Sequence, residues 1–356
     1  MTAGASRRHW LLGVGAIALL SGGYAWSRFR WAVASAEERI FNRSSLIRTQ
    51  FGVLEYAMAG SGSPILMIHG TGGGFDQGLR FGSALKRRGN KIIAPSRFGY
   101  LRSDFPADPS VANQADAFIT LLDHLGIDRL TVIGGSAGAL SATAFALRHP
   151  ERCSALVLLV PAANVSGSDP VEMTALQQKA VRTLLNSDLA YWSALEAAPE
   201  RLIGTLLATD PDLLSTVSDS ERRRAFAILT DMMPIRARAK GMLNDARQAG
   251  HPAKMDFSRL KMPVLVISAE DDRFGTAATA RKIAEIVPQA ELTILPDGGH
   301  IWLGHDDEVA SRMEKFISGT TEKSAFGVNA SMYGKRRKKM NALKAFVDLP
   351  QKDTNP

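Results

Sequence analysis

A single hydroxyl, Ser136, stands in T-V-I-G-G-S-A-G-A-L-S (131–141), where a β-branched apolar run gives way to a helical pattern. Glycine and alanine are what a sharp turn tolerates when its side chain must point outward and neighbouring backbone comes close. A serine hydroxyl is a poor nucleophile until a base takes its proton, and the base needs a third group to orient it. Both kinds of group follow later apolar runs. Residues 264–268 lead into Ala269-Glu270-Asp271-Asp272, and residues 291–295 lead into Pro296-Asp297-Gly298-Gly299-His300. His300 is the candidate base, and Glu270, Asp271 and Asp272 are candidate acids. The pentapeptide 134–138 fits G-x-S-x-G, a strand-to-helix turn that exposes its serine and leaves helix-start N–H groups free to stabilise an oxyanion. The order serine, acid, histidine, each in a loop after a strand, is far more specific than the pentapeptide alone.

Loops at one edge of a sheet can hold such groups only if the strands are parallel. Short apolar runs rich in β-branched residues occur at Leu46 to Thr49, Val53 to Met58, Ile65 to His69, Lys91 to Pro95, Leu130 to Gly134, Ala155 to Val160, Val264 to Ser268 and Glu291 to Leu295. The first two flank the turn-like Gln50-Phe51-Gly52 and predict a hairpin. The others alternate with helical patterns at Gly78 to Arg88, Val111 to Leu125, Ala137 to Arg148, Thr276 to Val287 and Glu308 to Ile317, which predicts a mostly parallel sheet covered on both faces. Residues 164–262 interrupt the alternation with helical patterns such as Glu172 to Leu185 and Arg222 to Met232 and no convincing strand. Inserted between two sheet strands, they read as a helical cap.

The formal charge of +8 belongs to the flanks. Residues 41–320 carry 30 basic and 30 acidic side chains, so the central domain has no electrostatic footprint for nucleic acid, which is not expected as a partner. Cys153 is the sole cysteine and no Cys/His cluster has zinc spacing, so neither a disulfide nor a metal is expected. Nineteen uncharged residues, 9–27, carry aromatic residues towards their ends and read as a single-pass membrane anchor of undetermined side. The alternative is a secretory signal peptide cut near Ala34-Ser35-Ala36. The far end, with Lys335-Arg336-Arg337-Lys338-Lys339, reads as a basic, solvated tail.

The run P-I-L-M-I-H-G-T-G-G-G (64–74), with P-S-R-F-G-Y-L-R-S (95–103), G-G-S-A-G (134–138), P-V-L-V-I-S-A-E-D-D-R-F (263–274) and G-G-H (298–300), resembles the α/β-hydrolase fold family over roughly residues 46–320. The resemblance implies an eight-stranded, mostly parallel sheet with flanking helices and an inserted cap. Its segments are an anchor and linker (1–40), two core parts (41–163 and 263–320), the cap (164–262) and the tail (321–356). It implies a cofactor-free triad of Ser136, Asp272 and His300, with Ala269 standing for the glycine of the family's G-x-x-D pattern. The oxyanion-hole N–H groups would be those of Thr71, with Gly72 as the alternative in that loop, and Ala137. A serine at the elbow speaks against the aspartate-dependent dehalogenase and epoxide-hydrolase branches. The expected activity is hydrolysis of a small-molecule carboxylic ester. Carbon–carbon or lactone hydrolysis and acyl transfer are alternatives with the same triad, and a ligand-binding protein without turnover is the alternative from another class. His69 is expected to shape its loop, Arg97 and Arg102 to fix loops or lie at the surface, and His305 to open the last helix.

Overall fold

The computed structural model describes residues 3–163, 165, 179, 182–250 and 254–320, with side chains from residue 22 onward. The helix expected at 172–185 lies for the most part, and the basic tail entirely, outside these residues. Eight strands, β1 (Ser45–Thr49), β2 (Gly52–Ala59), β3 (Ser63–Ile68), β4 (Asn90–Pro95), β5 (Leu130–Gly135), β6 (Cys153–Leu159), β7 (Val264–Ala269) and β8 (Ala290–Leu295), form one sheet in the order β1-β2-β4-β3-β5-β6-β7-β8. Only β2 runs against the others.

The central strands are apolar at successive positions because both faces are covered. In β3, Leu66 and Ile68 join a cluster with Phe118, Phe145 and Ile283, whereas Ile65 and Met67 join one with Leu85, Val309 and Phe316. The first face is covered by α4 (Val111–His124), α5 (Gly138–Arg148) and a helix at Thr276–Ile286; the second by α2 (Phe75–Phe81), α3 (Ser83–Arg87) and a helix at 306–320. The single helix expected at 78–88 is thus two. They meet at Gly82, where a Cβ would stand 2.8 Å from the Ile92 side chain, so the chain approaches β4 closely there.

Between β6 and β7 come the helices α6 (Asp188–Ala197), α7 (Pro199–Leu206), α8 (Asp219–Asp231) and α9 (Ala239–Gly250), with a 3-10 turn at Ile235–Arg238. They bury a separate apolar cluster containing Tyr191, Ile203, Leu229, Met232 and Met233. The amino-terminal helix α1 (Ala3–Ile40) shares that cluster through Phe29, whose ring lies 5.7 Å from that of Trp192, and through Ala36. Arg28 pairs with Glu196 at 2.8 Å, and Arg39 donates to the Met233 carbonyl at 2.8 Å. Residues 28–40, expected as a linker, are therefore helix seated on the inserted layer. Among the described residues no helix is long and apolar enough to cross a membrane. The apolar run expected as an anchor lies mostly before residue 22, outside the described side chains.

Candidate active site

The connections leaving β3 and β5 cross opposite faces of the sheet although the two strands are neighbours, the topology at which loops of an α/β sheet diverge at the strands' carboxyl ends. Ser136 follows β5 directly. Its φ of +50° is strained for a residue with a side chain, and its N–H donates to the Leu159 carbonyl at 2.9 Å, pinning the turn to β6. The turn is tight enough that a Cβ on Gly138 would stand 2.4 Å from the His69 carbonyl oxygen and 2.6 Å from that of Ile68. Backbone cannot yield as a side-chain tip can. Gly138→Ala is therefore expected to cost about 1–3 kcal/mol of stability and to lower turnover by lifting α5 off β3; a variant that melts and turns over like the parent would contradict this packing.

Three sequence candidates come together although they lie in separate loops. His300 Nε2 is 2.8 Å from Ser136 Oγ, and His300 Nδ1 is 2.8 Å from Asp272 Oδ2. Asp272 also accepts from the Thr276 hydroxyl and from the Phe274 N–H at 2.9 Å. Burial pushes its carboxyl up, but the bonds from His300, Thr276 and Phe274 outweigh this and hold it below the usual carboxylate range. An ionised Asp272 keeps the imidazole proton on Nδ1 and leaves Nε2 free to accept. The two other candidate acids serve elsewhere. Asp271 accepts the Gly299 N–H at 2.8 Å and so shapes the histidine loop, while Glu270 pairs with Arg281 at 2.5 Å on the surface.

The amide N–H groups of Thr71 and Ala137 find no acceptor among the described residues. Their loops touch, since a Cβ on Gly70 would stand 3.2 Å from Ser136 Cβ. The arrangement can draw a proton from Ser136 to His300, with two unpaired backbone N–H groups in the loops that flank the serine.

His69 Nδ1 donates to the Gly70 carbonyl at 2.7 Å and Nε2 accepts the Arg97 N–H at 2.9 Å. Burial and the nearby Arg97 guanidinium hold it neutral, well below the ordinary histidine value. Both ring nitrogens are thus engaged with the backbone of its own and a neighbouring loop, and neither faces Ser136 as an acceptor. Arg102 pairs with the buried Glu55 at 2.7 Å. His305, which precedes the helix at 306–320, contacts Asp297 at 2.8 Å and Glu308 at 2.9 Å. Burial pulls its pKa down, yet these two carboxylates raise it above the ordinary histidine value. Its pairing therefore stabilises the fold fully below that value and is lost as pH climbs through the raised one. The stability gap between the parent and His305→Gln should shrink as pH rises above about 6.5; a gap independent of pH would show the pairing to be silent.

Sequence reasoning missed two buried ion pairs behind the 69–74 loop. Arg97 forks onto Asp245 of α9, with Nη1 to Oδ1 and Nη2 to Oδ2 both 2.7 Å. Arg238 Nη2 bonds Asp76 at 2.7 Å. Arg97 and Asp76 stand beside recognisable motifs, but their partners lie 148 and 162 residues away in a helical stretch without a motif.

A family model described as the α/β hydrolase fold matches residues 63–304. A 2-hydroxymuconate semialdehyde hydrolase from Pseudomonas putida is 30% identical over 268 residues, 73% of this chain and 88% of its own. Among solved structures, an α/β hydrolase fold protein from Nakamurella multipartita is 24% identical with a TM-score of 0.62, covering 77% of this chain and 98% of its own. A bacterial membrane phospholipase A is 20% identical with a TM-score of 0.56, covering 88% of this chain and 99% of its own. The sheet order and the family match agree, and the chain belongs to the α/β-hydrolase fold family as a hydrolase.

Proposed function

We propose that the protein is a serine hydrolase that cleaves a carboxylic ester through an acyl-enzyme on Ser136. The observation that carries this reading is the continuous chain of contacts from Asp272 through His300 to Ser136 Oγ, with both links at 2.8 Å. Ser136 Oγ attacks the ester carbonyl carbon while His300 Nε2 takes the hydroxyl proton. The carbonyl π pair moves onto oxygen, where the N–H groups of Thr71 and Ala137 receive the negative charge. Collapse of this intermediate breaks the bond to the alcohol oxygen, which leaves with the proton held by His300. A water then attacks the acyl carbon, giving its proton to His300; Ser136 departs with that proton and the carboxylic acid is released. Asp272 stays ionised and stabilises the imidazolium at both stages.

The relationship to a 2-hydroxymuconate semialdehyde hydrolase favours a second reading, hydrolysis of a carbon–carbon bond beside a carbonyl by the same groups. A fluorophosphonate probe followed by peptide mass spectrometry tests the common step, with an adduct on Ser136 expected. Competition for that adduct by esters but not by dienol ketones would select the ester reading. A folded protein that takes no label would instead favour a binding role.

Attachment to a membrane through residues 9–27 belongs to the same proposal. The nineteen uncharged residues there, with aromatic residues towards both ends, support it. Sedimentation of the full chain with membranes that resists carbonate washing supports the attachment, and release by the wash would count against it.

A further inference from the structure

The loop that presents Thr71 is held by the inserted layer as much as by the sheet. Asp245 of α9 accepts the Thr71 hydroxyl at 3.0 Å and the Tyr100 hydroxyl at 2.5 Å, besides both bonds from Arg97. Arg97 in turn donates to the His69 carbonyl at 3.0 Å and the Gly70 carbonyl at 3.1 Å. On the other flank, Arg238 is wholly buried and donates to the Gly73 carbonyl at 2.5 Å, to Asp76, and to the carbonyls of Met232 and Asp231. Between them lies Gly72, with φ +78°, where a Cβ would come within 2.4 Å of the Met232 side chain. The segment 70–73 is thus gripped on both sides and from above by residues 232–245.

Building on the serine-hydrolase reading, we propose that Asp245 and Arg238 are positioning residues that set the Thr71 N–H, so that the oxyanion hole is complete only while the inserted helices are seated on the core. Charged groups are unusual tethers for a loop, because each buried ion costs desolvation that only excellent geometry repays. Here that geometry is bidentate at both pairs, and the carbonyls they hold belong to the residues on either side of Thr71 and Gly72. Lifting the layer would separate Asp245 from Arg97 and Thr71, and Arg238 from Gly73 and Asp76. Thr71 would then lose its placement while Ser136, pinned to β6, kept its own; the histidine and acid loops meet a different part of the layer, where Arg224 donates to the Ile301 carbonyl at 2.9 Å and Ala208 accepts the Arg273 N–H at 3.1 Å.

A loss confined to the oxyanion hole weakens the transition state and leaves the bound substrate nearly untouched. The test uses the full chain with a p-nitrophenyl ester, together with a trifluoromethyl ketone that forms a tetrahedral oxyanion on Ser136. Asp245→Asn is expected to lower kcat and ketone affinity in step, by about 10- to 100-fold, with KM within about twofold. A buried unpaired Arg97 could unfold this variant, so Arg97→Met/Asp245→Leu is made beside it. Removing both charges spares the fold that penalty and should restore the melting temperature but not kcat. Thr71→Val should reproduce part of the loss and add little to Asp245→Asn, because both remove one bond. Parent-like kcat and ketone affinity in the folded double variant, or a rise in KM alone, would overturn the proposal. A parent protein that binds no ketone at Ser136 overturns the underlying serine-hydrolase reading, and that result precedes any comparison of variants.

Discussion

Ser136→Ala is expected to lower turnover by about 10⁵- to 10⁶-fold without unfolding the domain, and His300→Ala should cost about as much. The hydroxyl's contact is with His300, and the turn that carries residue 136 is held by backbone, through the bond to Leu159 and the fit of Gly138 against β3. Alanine can take the same conformation at no greater cost than serine. Nucleophile and base act as one unit, because an unactivated hydroxyl attacks slowly and an imidazole without a nucleophile has nothing to activate. The double variant should therefore be no slower than either single one, and the residual rate should reflect binding and the Thr71 and Ala137 N–H groups. Pre-steady-state assays on freshly purified variants, with circular dichroism confirming the fold, measure this directly. A Ser136→Ala protein that retained a tenth of the activity would remove the acyl-enzyme from the mechanism.

The second large effect separates two neighbouring aspartates. Asp272→Asn should lower kcat by about 10⁴-fold, whereas Asp271→Asn should change it by less than about tenfold. The asparagine amide at 272 cannot stabilise the imidazolium and favours the tautomer with its proton on Nε2, which no longer accepts from Ser136. Asparagine at 271 keeps an oxygen for the Gly299 N–H, so the histidine loop retains its shape. The low pKa of Asp272 adds a pH signature. Its carboxylate should stay ionised throughout the ordinary carboxylate range, so kcat/KM in the parent should show no step from Asp272 there. An acid step within or above the ordinary carboxylate range that Asp272→Asn removes would contradict the bonding around Asp272. Reversed effects at 271 and 272 would reassign the acid.

Much of the core was legible because its signals are local. A strand buried on both faces must be apolar at successive positions, as 65–68, 130–134 and 264–268 are, and the G-G-S-A-G turn must carry small residues where backbone approaches backbone. The order of serine, acids and histidine placed each candidate in a loop after a strand. The choice among Glu270, Asp271 and Asp272 was not available from residue type, since all three are carboxylates in one loop. The sequence resemblance favoured Asp272, and the structure shows it directed at His300 while Asp271 turns to the Gly299 N–H.

The sequence by itself determined the parallel sheet, the elbow at Ser136 and the loops that carry His300 and the acids, because periodicity and turn chemistry are written in adjacent residues. Only the tertiary structure decided that α1 continues as helix to dock on the inserted layer, and that Asp245 and Arg238 grip the 70–73 loop. Any of 43 cationic side chains could in principle meet any of 35 anionic ones. Which pairs form buried bidentate bonds depends on how helices distant in sequence settle on the sheet, and that is fixed by packing rather than by any local pattern.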